Sequence, residues 1–139
     1  MPVTDALLVA IGGNATHPDD IRGTTEEQEV IAARAASAIL PLIRANNRLL
    51  ITHGNGPVVG KILLRMMLTR EAIPPMRLDV CVAHSQGGIG YILIQALENA
   101  MRRSGLERHA TSPPACGTTT NGSTALPTVC SCSATRQGS

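Results

Sequence analysis

Residues 48–60, RLLITHGNGPVVG, pass from an apolar run through a Gly-Asn-Gly turn into a helical pattern. The apolar run predicts a buried strand, and Pro57 stands at a favoured first-turn position of a helix. Glycines let the backbone approach a ligand closely, and the N-terminus of a helix favours negative charge. The stretch therefore predicts an anion site where a strand of an α/β fold ends.

A second apolar run, ALLVAI at residues 6–11, ends in Gly12-Gly13-Asn14. Between the two runs, Thr24 and Glu27 have the spacing of a capping box, which predicts the start of a helix. A strand, a helix and a second strand indicate a right-handed parallel unit. Such sheets bind ligands at the carboxyl ends of their strands, so both glycine turns are expected at one edge.

Three local features of the helices are also predicted. Pro41 lies inside the first helical pattern and is expected to kink or end the helix near Leu40. Asn46-Asn47 is expected to form a turn. The last helix is clearest from Ile89 to about Arg103, with Ser85 or Asp79 as a possible N-cap and Gly105 as its C-terminal cap.

Composition limits the possible functions of the 139-residue chain. Hydrophobic residues make up 43% and aromatic residues 1%, so one aliphatic core is expected. A net charge of +2 does not favour nucleic acid as a partner. No apolar run reaches the length of a membrane span, and the first residues lack the basic start of a signal peptide, so we expect a cytoplasmic protein. The cysteine spacing does not favour a metal site.

AHSQGG, residues 83–88, raises a rival interpretation. A small residue followed by x-Ser-x-Gly is typical of the nucleophile elbow of serine hydrolases, with Ser85 as the nucleophile. Only Glu98, Glu107 and His109 follow as partners, too close together to build a triad on separate loops. A strand at 78–83 would favour the hydrolase, whereas a helix there would exclude it.

Three stretches in order, AIGGNA (10–15), ITHGNGPVVG (51–60) and PPMRLDVCVAHSQGGIGYILIQALENAMRR (74–103), resemble the carbamate kinases of the amino acid kinase family. The resemblance implies an α/β parallel-sheet sandwich, truncated here to the N-terminal lobe. It also implies reversible phosphoryl transfer between ATP and carbamate, giving ADP and carbamoyl phosphate, with Mg²⁺. Val58 and Gly88 depart from the Gln and Met that are usual in the family.

The family resemblance also assigns functional residues and partners. The positions that would bind the carbamoyl or phosphoryl group are Gly12, Gly13, Asn14, Gly54, Asn55 and Gly56. Residues 79–103 would contribute to a homodimer. The catalytic lysines of the family lie beyond the matching region, so the catalytic residues are unknown. Lys61 matches none of them and is interpreted as a solvated surface lysine.

The chain changes character near its end, because 18 of residues 110–139 are Thr, Ser, Pro or Gly. We therefore divide it into an N-terminal lobe, residues 1–108, and a non-homologous tail, residues 109–139, expected to be disordered. A frameshift or a truncated gene model would produce such a junction. The chain alone is expected to lack kinase activity, which leaves a non-catalytic anion-binding or dimerisation fragment as the alternative.

Overall fold

The structure is a computed structural model that describes residues 6–111 and 128–132. Its helices and strands are, in chain order, β1 (Ala6–Ile11), α1 (Gly13–Thr16), α2 (Thr25–Arg44), β2 (Arg48–His53), α3 (Gly56–Thr69), α4 (Leu78–Arg103) and β3 (Thr128–Cys132). β1 and β2 pair in parallel, from Ala6 opposite Arg48 to Ile11 opposite His53. The predicted α/β fold with a parallel strand pair is confirmed.

β3 pairs antiparallel with the other edge of β2, from Leu49 opposite Cys132 to His53 opposite Thr128. The sequence did not predict this strand. The remainder of the proposed tail beyond Thr111 lies outside the described residues, and the boundary near residue 108 stays a prediction.

The core is aliphatic, as predicted, and lies where α2 and α4 pack together and against the sheet. Its largest fully buried apolar side chains are Ile43, Ile51, Leu97 and Met101. Within the described ranges, α4 is also the one helix long and apolar enough to cross a membrane by length and composition. One side of this helix contributes Leu93, Leu97 and Met101 to the core.

α2 begins as predicted and ends later than predicted. The Thr24 side chain accepts from Glu27 N, and the Glu27 side chain accepts from Thr24 N, which is the expected capping box. The helix continues through Pro41 to Arg44, so of the kink or end predicted near Leu40, the end is wrong and the kink stays a prediction. Pro41 is exposed near the C-terminus of the helix, whereas the next turn buries Ile43, so packing outweighs the backbone hydrogen bond that proline removes.

α4 begins at Leu78, eleven residues before its clearest apolar pattern, with Arg77 as N-cap. Neither Asp79 nor Ser85 caps it, because both lie within the helix. Its end follows the prediction: Gly105 has φ +67°, and Leu106 N donates to Met101 O at 3.0 Å. This is the hydrogen bond of a Schellman motif, which requires a residue in the left-handed region.

Candidate anion-binding site

Two glycine turns leave the same edge of the sheet because β1 and β2 are parallel and end opposite each other at Ile11 and His53. Gly54 N donates to Ile11 O at 2.9 Å, which carries the strand pairing into the second turn. The first turn opens α1 and the second opens α3. We call Gly12, Gly13, Asn14, Gly54, Asn55 and Gly56 the cradle.

The two halves of the cradle touch through their backbones. A Cβ atom on Gly54 would lie 2.7 Å from Gly13 N and 3.0 Å from Gly13 Cα. A Cβ on Gly13 would meet Pro57 Cδ at 3.4 Å, an ordinary contact. Glycine is therefore required at position 54 by the close approach of a neighbouring main chain.

Thr16 joins the two turns, although no sequence pattern pointed to it as part of the site. Its hydroxyl oxygen is 2.8 Å from Gly13 O and 3.3 Å from Gly54 O, so either carbonyl can accept its hydrogen. Thr16 thereby helps to orient the peptide groups of the cradle.

The open side of the cradle lies at Gly12 and Gly56, where an added Cβ would meet no atom within 4 Å. α3 has Asn55 as N-cap and Gly56 as its first residue. The first N–H groups of a helix have no acceptor within that helix and carry partial positive charge. The cradle can therefore bind an anion through backbone donors, with exposed Asn14 beside it.

The side chain of Asn55 faces the protein interior. Its Nδ2 donates to Ser85 Oγ at 2.9 Å, and Ser85 Oγ donates to Val82 O at 2.6 Å. Both Asn55 and Ser85 are buried. The amide thus fixes the N-terminus of α3 to α4, so the contribution of Asn55 to a bound anion would come from its backbone.

The same observations exclude the serine-hydrolase alternative. Residues 78–83 are helical, and Ser85 is 1% exposed within α4. A nucleophile elbow requires the serine at an exposed turn between a strand and a helix. Ser85 instead accepts a hydrogen bond from the cradle residue Asn55 on the interior side of the site.

His53 supplies no positive charge to the site. Its ring is buried, and desolvation lowers its pKa, so the imidazole is neutral at pH 7. Nδ1 lies 3.3 Å from Gly54 O, a contact that an Nδ1–H group can make. His53 therefore packs under the second turn, and the donors available to an anion are those of the backbone.

Lys61 is not the solvated surface lysine predicted from the sequence. Its Nζ lies 2.5 Å from His17 Nε2 and donates to Arg22 O at 2.7 Å. His17 and Arg22 are distant from Lys61 in the sequence, so the pattern of residues in α3 could not reveal these contacts. Across residues 6–111 and 128–132, no group of three or more His, Cys, Asp and Glu could hold a metal ion, and we assign no step to Mg²⁺ or nucleotide.

Proteins similar to this chain in sequence and in fold include carbamate kinases. The Pyrococcus horikoshii carbamate kinase is 40% identical over 106 residues, covering 75% of this chain and 34% of the relative. The Trichomonas vaginalis enzyme is 37% identical over 107 residues, covering 76% of this chain and 34% of the relative. The chain is homologous to the N-terminal part of the carbamate kinases. It spans about a third of the length of the curated relatives it matches.

The solved carbamate kinases support the same relationship. The Giardia lamblia carbamate kinase bound to AMP-PNP superposes with a TM-score of 0.72 at 31% identity, over 82% of this chain and 42% of that one. A second Giardia carbamate kinase structure gives a TM-score of 0.68 at 35% identity, over 73% and 36% of the two chains. The fold is thus that of the N-terminal lobe of this kinase family. No protein-family profile matches the chain.

Proposed function

We propose that the cradle binds the transferring phosphoryl or carbamoyl group of carbamoyl phosphate, as one part of a carbamate-kinase-type active site. The observation that supports this proposal is the close backbone contact between Gly13 and Gly54, which brings the two glycine turns together. The family relationship indicates a phosphotransferase, and AMP-PNP in the Giardia lamblia enzyme supports ATP/ADP as its nucleotide. Mg²⁺ would accompany that nucleotide.

The cradle would bind and orient the anion without transferring it. Phosphoryl transfer requires cations or metal ions around the transferring group. The described neighbours of the cradle do not supply them, because His53 is neutral and Lys61 is bound to His17 and Arg22 O. We therefore propose that the 139-residue chain alone binds carbamoyl phosphate but does not turn it over, and we assign it no catalytic residue.

Titration and turnover of the full chain test this proposal. Isothermal titration with carbamoyl phosphate, without nucleotide, should give saturable binding. A coupled assay of ATP formation from ADP, Mg²⁺ and carbamoyl phosphate should stay at the no-protein blank. Absence of binding would disprove the proposed anion-binding role of the cradle. Turnover above the blank would show that the chain is catalytically complete, in contradiction to our proposal.

We also propose a homodimer formed through residues 79–103, in the cytoplasm. Val80 and Tyr91 on α4 are 38% and 63% exposed, which suits an apolar contact. Light scattering after gel filtration should give a dimer, and Tyr91→Lys should shift it toward monomer. Leu64→Lys is the matched control because Leu64 is similarly exposed, at 54%, on α3. A monomeric wild-type chain, or equal effects of the two substitutions, would refute this interface.

A further inference from the structure

The single lysine of the chain connects two segments that the cradle depends on. Lys61 lies in the second turn of α3, the helix that begins at the cradle residue Gly56. Its ammonium group contacts His17 Nε2 and donates to Arg22 O, both in the connection between α1 and α2. We call Lys61, His17 and the carbonyl of Arg22 the lysine–histidine strap.

His17 directly follows α1, the helix that contains the cradle residues Gly13 and Asn14. Its backbone N donates to Gly13 O at 2.8 Å, so the position of His17 is tied to that of Gly13. The ring is 2% exposed. When Nε2 accepts from Lys61, the ring hydrogen must be on Nδ1, and Nδ1 is buried without a partner among the described residues.

The connection around the strap leaves little room for movement. Gly23 has φ +81°, and a Cβ there would lie 2.6 Å from Lys61 Nζ and 2.8 Å from His17 Nε2. Glu27 Oε2 accepts from Gly23 N at 2.7 Å, at the start of α2. The segment is therefore held at one end by α3 and at the other by the cap of α2.

From these contacts we propose that Lys61 and His17 are positioning residues that hold the Gly12–Asn14 turn against the N-terminus of α3, and that protonation of His17 releases this hold. The proposal rests on the cradle being the anion site. An imidazolium has no lone pair to accept from Lys61, and it would place two cations at hydrogen-bonding distance. Acid therefore opens the strap and weakens anion binding.

The charged groups around His17 set the direction of this effect. Burial and Lys61 on α3 lower the pKa of His17, whereas Glu27 on α2 and Asp19 in the connection raise it, with a net lowering from 6.5. Arg22 contributes its carbonyl to the strap. Because the pKa in the folded chain is below the unfolded value, the unfolded chain takes up the proton first. The contribution of neutral His17 to the free energy of unfolding is complete above pH 6.5. It is lost as the pH falls from there toward the lower pKa of His17 in the folded chain.

Binding measurements on three variants test the strap. The probes are inorganic phosphate and carbamoyl phosphate, titrated at pH 7.5 and 5.5. Lys61→Met should weaken binding at pH 7.5 by roughly ten- to a hundredfold, as expected for losing a hydrogen bond from a charged donor. His17→Gln keeps an acceptor for Lys61 but does not titrate, so it should bind like the wild type at pH 7.5. Arg65→Met, one turn further along α3, is the control for loss of one positive charge.

Acid sensitivity separates positioning from general stability. For each variant, the affinity at pH 7.5 is divided by the affinity at pH 5.5. This ratio should be the same in the wild type as in Arg65→Met, because both keep the strap. It should be smaller in His17→Gln. This comparison cancels protonation of the anion itself. If Lys61→Met binds like Arg65→Met, or if His17→Gln keeps the acid sensitivity of the wild type, the strap has no positioning role.

A readout without ligand distinguishes failure of the strap from failure of the cradle. In a histidine NMR titration, Lys61→Met should raise the pKa of His17 and Arg65→Met should not. Hydrogen exchange of residues 17–23 should accelerate in Lys61→Met and at acid pH. If these hold but the wild type binds neither probe, the proposed function fails and so does the positioning role. If binding occurs but the pKa of His17 does not respond, the strap alone is wrong.

Discussion

Gly54→Ala should abolish most anion binding and lower the free energy of unfolding by roughly 3 kcal/mol, because forced overpacking shifts the backbone. The new methyl group would lie 2.7 Å from Gly13 N, and a main-chain atom cannot move aside as a flexible side chain can. The two turns must separate, which moves the peptide donors of the cradle apart. Urea unfolding followed by circular dichroism, and titration with carbamoyl phosphate, measure the two effects.

Gly60→Ala provides the matched control for that substitution. Gly60 lies within α3, and a Cβ there meets no atom within 4 Å. Alanine in a helix interior is favoured over glycine, so the control should gain about 0.5–1 kcal/mol. Gly54→Ala with wild-type stability and wild-type binding would show that the two turns do not need their close contact.

Arg108→Met should lower the free energy of unfolding by about 2 kcal/mol, since it removes two hydrogen bonds from a charged donor. Arg108 Nη1 donates to Ile43 O and Nη2 donates to Asn47 O, both at 2.6 Å. These contacts join the segment after α4 to the end of α2 and the turn that enters β2. Methionine keeps an unbranched apolar side chain while removing the donors, and thermal and urea unfolding measure the loss.

Arg103→Met is the control, because Arg103 is exposed in the last turn of α4. It should cost about 0.5 kcal/mol through loss of a favourable charge at the helix C-terminus. Arg108→Lys should fall between the two, because an ammonium group cannot reproduce the planar fork that reaches both carbonyls. Equal losses in Arg108→Met and Arg103→Met would contradict a specific role for these hydrogen bonds.

The sequence predicted the parts of the fold that depend on local patterns. The two apolar strands, the Thr24–Glu27 capping box and the Gly105 cap all follow from neighbouring residues, and the structure contains them. It predicted a kink or an end of α2 near Leu40, and the end is wrong because burial of Ile43 depends on a helix distant in sequence. The start of α4 was missed for a similar reason, since its first turns have no continuous apolar face.

The candidate site was predicted in outline only. Six cradle positions could be chosen because two glycine turns follow two parallel strands, and their role in binding stays a prediction. The partners that hold the cradle could not be found this way. Thr16, Ser85 and His17 act through contacts with Gly54, Asn55 and Lys61, which lie 30 or more positions away in the sequence.

The contact between Gly13 and Gly54 also selects the alignment of β1 with β2. A shift of one residue would turn the side chains of β2 to the opposite face of the sheet. It would also bring His53 or Asn55 to the place now occupied by Gly54, and neither fits against the main chain of Gly13. Misaligned pairings are therefore rejected at the turn as well as in the core. Gly13 and Gly54, which are proposed to shape the binding site, thus also favour the correct strand register during folding.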